Sequence, residues 1–103
     1  MEREIIILID KKSSNVEIFL ETITSRKYIS FRELRKMFYS TIAYNTIQNF
    51  IYKTNNSLKI IDQSLELFSM EIIQKDEITM KIYKINPKTQ FEKTKHHYIL
   101  KLK

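Results

Sequence analysis

Residues 30–53 read SFRELRKMFYSTIAYNTIQNFIYK, and this stretch decides which fold the sequence predicts. Ser30 followed by Glu33 forms a capping box, which predicts that a short helix begins at this point. Apolar residues then recur at helical spacing on both sides of a polar interruption. They are Leu34, Phe38, Ile42, Ile47 and Ile51, with Phe31 and Met37 also expected to face inward. The stretch therefore predicts a short helix, a tight turn that contains Ile42, and a further helix over about residues 43–53.

The second of these helices has an outer face that is polar and almost uncharged. Its exposed positions are predicted to be Tyr44, Asn45, Gln48, Asn49 and Lys53. Asn and Gln side chains can pair with the N6 and N7 edge of adenine, and Lys suits guanine or phosphate. Two helices with such a face have the layout of a helix-turn-helix that reads DNA, and the first four residues are the base-reading candidates. A solvated helix face, with Tyr44 as a rim aromatic, is the alternative interpretation.

The distribution of charge favours a polyanionic partner for the same stretch. The formal net charge is +6, and residues 31–61 hold five basic side chains against one acidic side chain. Clustered basic side chains suit the phosphates of nucleic acid. The phosphate-binding candidates are Arg32, Arg35, Lys36, Lys53, Lys84 and Lys88. For the lysines nearer the C-terminus, the solvated side of a sheet or the protection of its edge is the alternative explanation.

The N-terminal part of the chain predicts one strand and one helix. Glu4–Asp10 is mostly isoleucine without a helical polar face, which predicts a strand covered on both sides or packed at a subunit boundary. Ser14 and Glu17 form a second capping box, so a helix is expected over about residues 15–26. Its apolar positions are Val16, Phe19, Leu20 and Ile23.

The C-terminal half is rich in β-forming residues, and we expect an antiparallel meander there. The runs are residues 60–61, 65–73, 78–85 and 98–102. In two runs the apolar residues alternate, with Ile78, Met80 and Ile82 in one and Tyr98, Leu100 and Leu102 in the other. Because the chain has no glycine, Asn and Asp are expected at turns with positive φ. The predicted turns are Asn55–Asn56, Lys75–Asp76 and Asn86–Pro87.

Three helices followed by a β-hairpin, with the third helix facing outward, resemble the winged helix-turn-helix superfamily of DNA-binding proteins. Ile42–Ile51, IAYNTIQNFI, is similar to that family's turn-and-recognition pattern, although Tyr39–Thr41 replaces the glycine common in its turn. The resemblance implies one α+β domain over residues 1–103, with an N-terminal strand, three helices and the C-terminal meander. It also implies a homodimeric transcriptional regulator whose third helix enters the major groove of double-stranded DNA. The wing would carry Lys81, Lys84, Lys88, Lys93 and Lys95.

Enzymatic chemistry has little support in the residues. The chain has no cysteine, which excludes a thiol nucleophile and Cys-based metal sites. Asp10 ends a strand, the place where small nucleases often hold a metal-binding carboxylate, but no further carboxylates follow at a recognisable spacing. His96 and His97 are adjacent, so on a strand they point to opposite faces. We therefore expect no enzyme activity, no metal and no cofactor.

Location and origin can also be inferred from composition. No apolar run is long enough for a membrane span and the start of the chain lacks a secretory signal, so we expect a cytoplasmic protein. The abundance of Ile, Lys and Asn is typical of an AT-rich genome and indicates a viral or plasmid protein. The alternative function is a protein-binding module or inhibitor from a mobile element, which would act on a host protein partner through its strands or dimer surface.

Overall fold

Three helices and six strands form the part of the chain that the computed structural model describes, residues 4–103. The helices are α1 (Ser14–Arg26), α2 (Phe31–Met37) and α3 (Thr41–Ile61). The strands are β1 (Ile5–Asp10), β2 (Tyr28–Ser30), β3 (Phe68–Lys75), β4 (Ile78–Ile85), β5 (Thr89–Lys93) and β6 (His97–Leu102). This content confirms the α+β class that the sequence predicts.

The strands form two antiparallel sheets with the orders β1-β6-β5 and β2-β4-β3. The prediction of one meander is therefore wrong, because the β3–β4 and β5–β6 hairpins belong to different sheets. The chain changes sheet at the predicted Asn86–Pro87 turn. There the Asn86 N–H donates to the Leu67 carbonyl at 2.7 Å, and the Asn86 side-chain oxygen accepts from the Lys88 N–H at 3.0 Å. The sequence pattern does not predict β5.

The core lies between the helices and the covered faces of the sheets. Phe19 is fully buried, and its ring centroid lies 5.5 Å from that of Phe68 and 6.3 Å from that of Phe50. The four predicted apolar positions of α1 are all buried, and so are Tyr98, Leu100 and Leu102 of β6. In β4 the alternation predicts one covered face with Ile78, Met80 and Ile82. Only Ile82 is buried, and the other two are exposed.

The two predicted capping boxes have different outcomes. The Ser30 side chain accepts a hydrogen bond from the Glu33 N–H at 3.1 Å, which confirms the predicted start of α2. At α1 the prediction is wrong, because Ser13 is the N-cap and its side chain makes no capping bond. Glu17 instead lies 3.3 Å from the Lys93 ammonium, so a contact with β5 replaces the local one.

Helix α3 runs well past its predicted end, and neither the Asn55–Asn56 turn nor a strand at residues 60–61 is present. The apolar face continues because Thr54 and Leu58 are buried one and two turns beyond Ile51. The Asn55 side chain is used for a tertiary contact. Its oxygen accepts from the Leu67 and Phe68 N–H groups at 3.1 and 3.0 Å, and its amide donates to the Phe68 carbonyl at 2.8 Å. These bonds fix the start of β3 against the helix.

Among the described residues, one of the three positive φ angles is at an Asp, as expected for a chain without glycine, and the other two are at Lys27 and Glu77. The β3–β4 turn is Asp76–Glu77, with φ of 50° and 67°, one residue later than predicted. Lys27 has φ of 74° and ends α1, where its N–H donates to the Ile23 carbonyl at 2.8 Å. Of these three residues only Asp76 belongs to the short polar types that tolerate this conformation best.

Strand β1 pairs with β6 along its whole length, from Ile5 opposite Leu102 to Asp10 opposite His97. It lies at the edge of its sheet. Its outward side chains are exposed and its inward ones are only half-buried. The prediction that this strand is covered on both sides is therefore wrong for the single chain.

Candidate nucleic-acid interface

Of the five apolar residues that the sequence places inside the α2–α3 unit, four are buried. Leu34, Phe38, Ile47 and Ile51 are buried. Ile42 is 83% exposed, so its predicted place inside the turn is wrong. The reason is that α3 begins at Thr41, where the Ser40 side chain caps the Ala43 N–H at 3.1 Å. This start turns Ala43 toward the core and Ile42 outward.

The outer face of α3 combines amides with apolar side chains. Asn45, Asn49 and Lys53 are exposed as predicted. Ile42 lies three residues before Asn45, and residues three and four apart are neighbours on a helix surface. Tyr52 is also exposed and lies on the same side, three residues after Asn49. The sequence pattern misses Ile42 and Tyr52, because apolar residues at helical spacing are normally assigned to the core.

Gln48 does not belong to this outer face, although the sequence places it there. Its side-chain oxygen accepts from the Tyr83 hydroxyl of β4 at 2.9 Å. Its amide nitrogen is buried and has no hydrogen-bond partner within residues 4–103. Burial raises the pKa of the Tyr83 phenol, the hydrogen bond with Gln48 opposes this rise, and nearby Tyr44 adds to it. Gln48 therefore joins α3 to the β3–β4 hairpin.

Tyr44 is likewise half-buried, and it packs against the core. The Arg35 guanidinium carbon lies 4.2 Å from the centroid of its ring, which is the geometry of a cation–π contact. Phe31 of α2 stacks on Tyr83 with ring centroids 4.5 Å apart. Tyr44 thus orients an arginine at the rim of the outer face.

The positive charge of the unit lies at its surface. Arg32, Arg35, Lys36 and Lys53 are exposed. The acidic residue of α2, Glu33, forms an ion pair with Arg26 of α1. Helix α3 contains no acidic residue from Thr41 to Ile61. The outer face of α3 is therefore flanked by cations, and the carboxylate of α2 is already paired.

The lysines assigned to a wing are spread over several elements. Lys81 and Lys84 lie on the β3–β4 hairpin, and the Lys84 ammonium is 3.0 Å from the Glu71 carboxylate. Lys88 lies exposed in the β4–β5 connection and Lys95 between β5 and β6. Lys93 belongs to the other sheet and lies 2.6 Å from Glu21 of α1, so it is not on the wing. The hydrogen bonds that the Lys93 ammonium donates to Glu21 and Glu17 raise the Lys93 pKa.

The residues considered for metal chemistry are not brought into a cluster. The Asp10 carboxylate lies 3.3 Å from His97 Nε2 and 3.9 Å from the Lys12 ammonium. Between Glu4 and Lys103, no three His, Asp or Glu side chains are grouped so that they could hold a metal ion. None of the described helices has the length and apolar character needed to cross a membrane.

A scan of protein-family models, a search of curated protein sequences and a search of solved structures each found no match to this chain.

Proposed function

We propose that this chain is a winged helix-turn-helix protein that binds double-stranded DNA, with the outer face of α3 in the major groove. The proposal includes a role as a cytoplasmic transcriptional regulator. It also includes a homodimer, which would read two half-sites about 34 Å apart. The observation that carries the proposal is the outer face of α3, where exposed amides share a helix without carboxylates with Lys53, and the preceding helix α2 exposes Arg32, Arg35 and Lys36.

The order and pairing of the elements support this proposal. Helices α1, α2 and α3 are followed by the β3–β4 hairpin, as in the superfamily that the sequence resembles. The short strand β2 pairs with β4, which ties the start of α2 to the hairpin. The sheet β1-β6-β5 is additional to the minimal winged fold.

The side chains of α3 suit base edges. Asn45 and Asn49 are exposed amides, able to form paired hydrogen bonds with adenine. Ile42 and Tyr52 offer apolar surface, which in the major groove meets the methyl group of thymine. Arg32, Arg35 and Lys36 on α2 would bind phosphates and fix the position of the domain.

The first test is selection of bound sequences from random duplex DNA at two salt concentrations, followed by fluorescence anisotropy on the enriched site. Asn45→Ala or Asn49→Ala should weaken binding to that site by about 1–3 kcal/mol, or roughly 5- to 150-fold, with little effect on random DNA. Arg32→Ala should weaken binding to every sequence and reduce the slope of log affinity against log salt by about one.

Asn56→Ala is the matched control, because Asn56 is an exposed asparagine on the same helix, about 16 Å further along its axis than Asn45. This variant should bind DNA like the unchanged protein. Absence of binding at low salt would contradict the proposal. Binding without enrichment of a sequence would show that the protein binds DNA but that α3 does not read bases.

A protein partner is the second candidate, favoured by the surface of the β3–β4 hairpin. Met70, Ile72 and Ile78 are exposed there, and the turn is the acidic pair Asp76–Glu77. An apolar hairpin with an acidic tip is poorly suited to phosphates, whereas it suits protein contact. Under this alternative, Ile72→Lys would abolish partner capture while Asn45→Ala would leave it intact.

A further inference from the structure

We propose that the free edge of β1 pairs with β1 of a second copy, which joins the two β1-β6-β5 sheets into one six-stranded sheet. This inference concerns a surface on β1 rather than the α2–α3 unit. It specifies the interface of the homodimer in the proposed function, and it stands whether or not the chain binds DNA.

The edge of β1 lacks the features that normally protect a sheet edge. From Ile5 to Ile9 every residue is apolar, and one side of β1 has no strand beside it within the described residues. Exposed edges usually carry charges, prolines or bulges that prevent pairing with another chain. The opposite edge of the same sheet, β5, carries Glu92 and Lys93. The contrast indicates that β1 is built to be paired.

Burial along β1 is incomplete on both faces. Ile5, Ile7 and Ile9 face the core but are only half-buried, whereas Tyr98 and Leu100 on the neighbouring strand β6 are fully covered. On the outer face, Ile6 is 55% and Leu8 is 63% exposed. A strand added at this edge covers part of both faces at once, which a ligand on one face alone does not do.

A two-fold axis between two copies restricts which residues of the two β1 strands can lie opposite each other. Rotation about an axis perpendicular to the sheet keeps each side chain on its own face, so inward residues must meet inward residues. Pairing centred on Ile7 then places Ile5 opposite Ile9 and Ile6 opposite Leu8 of the other copy. All five pairs are apolar, and only the next pair, Glu4 with Asp10, brings like charges together.

A hollow at one end of the edge fits this register. It has a volume of about 140 Å³, and its lining is four apolar residues and two charged ones, namely Ile5, Ile61, Leu65, Leu102, Asp62 and Lys103. Ile9 of the second copy lies next to Ile5 on the same face in the Ile7-centred pairing. The register therefore brings an apolar side chain beside the apolar part of this hollow on each side of the two-fold axis.

Sedimentation equilibrium of the full chain without DNA tests the dimer. The unchanged protein should dimerise, and Leu8→Lys should weaken dimerisation by about tenfold or more, because a charge on each copy enters the apolar stripe. Since Leu8 is exposed in the single chain, circular dichroism should show an unchanged fold. Ile60→Lys, at an exposed residue of α3, is the control and should dimerise normally.

Sedimentation equilibrium of the Glu4→Lys variant tests the register, because this variant is expected to dimerise more tightly. This variant replaces two like-charged Glu4–Asp10 pairs by opposite charges, so it should strengthen dimerisation by a few-fold. A protein that stays monomeric up to its solubility limit would overturn the proposal. A Leu8→Lys variant that dimerises as well as the unchanged protein would also overturn it.

Single cysteines give an independent measurement, because the chain has none of its own. Ile7→Cys places two thiols directly opposite each other, about 5 Å apart at Cβ, and should form a covalent dimer on mild oxidation. Leu8→Cys places them diagonally, about 7–8 Å apart, and should cross-link much less although it is more exposed. The reverse order of yields would exclude the Ile7-centred register.

Discussion

Strands β4 and β6 have similar alternating sequences but different surroundings. In β6, Tyr98, Leu100 and Leu102 alternate with outward residues and are all buried. In β4, Ile78 and Met80 are 69% and 40% exposed, although they alternate in the same way. The inward face of β6 packs on the core, whereas the outer half of the β3–β4 hairpin extends away from it. Alternation therefore predicts the strand, while burial depends on what packs against it.

The largest expected difference in the free energy of unfolding is between substitutions at a core residue of β6 and at an exposed residue of β4. Leu100→Ala should lower the free energy of unfolding by about 2–5 kcal/mol, because it leaves a cavity in a fully buried position. Ile78→Ala should cost much less, since Ile78 is already largely in water. Urea unfolding followed by circular dichroism measures both. Equal losses would mean that the hairpin is covered in solution.

A smaller effect is expected where the hairpin joins α3. Asn55→Ala removes three hydrogen bonds to Leu67 and Phe68 and should cost about 1–3 kcal/mol, because it leaves part-buried backbone groups unpaired. Asn56→Ala, one residue later and exposed, should change the free energy of unfolding very little. Hydrogen exchange should show faster opening of β3 in the first variant only. Equal protection in both variants would show that Asn55 does not hold β3.

The smallest effect concerns Tyr83 and depends on pH. Tyr83→Phe removes the bond to Gln48 and should cost about 0.5–1.5 kcal/mol at neutral pH. Because burial raises the Tyr83 pKa, the unfolded chain loses this proton first, and stability falls as the pH rises past about 10. The variant should show a shallower fall between pH 9 and 11 in urea titrations. Tyr39→Phe, at an exposed site, is the control.

The sequence predicts elements whose signals are local. The Ser30 cap sets the start of α2, and the bounds of β4 match the predicted run 78–85. The end of α3 could not be found in this way, because Asn55 resembles a turn residue until its contacts with β3 are known. The division of the strands into two sheets also depends on pairings between distant segments, such as β1 with β6.

The candidate interface shows the same division between local and distant signals. Exposure of Asn45 and Asn49 follows from helical periodicity around the buried residues Ile47 and Ile51. Gln48 could not be assigned to the interior, since its partner Tyr83 is far away in the chain. The sequence pattern places Ile42 in the turn because an apolar residue there suits the core, whereas the Ser40 cap starts the helix just before Ile42 and leaves it exposed.

Helix α3 is attached to the β3–β4 hairpin at two points, through Gln48 to Tyr83 and through Asn55 to the start of β3. The two residues are seven apart, which separates the attachments by about 10 Å along the helix axis. Two attachments along the helix prevent α3 from rotating relative to the hairpin, whereas a single attachment would allow that rotation. The helix and the hairpin therefore keep a constant angle, and a molecule that contacts both must adjust its own shape to them.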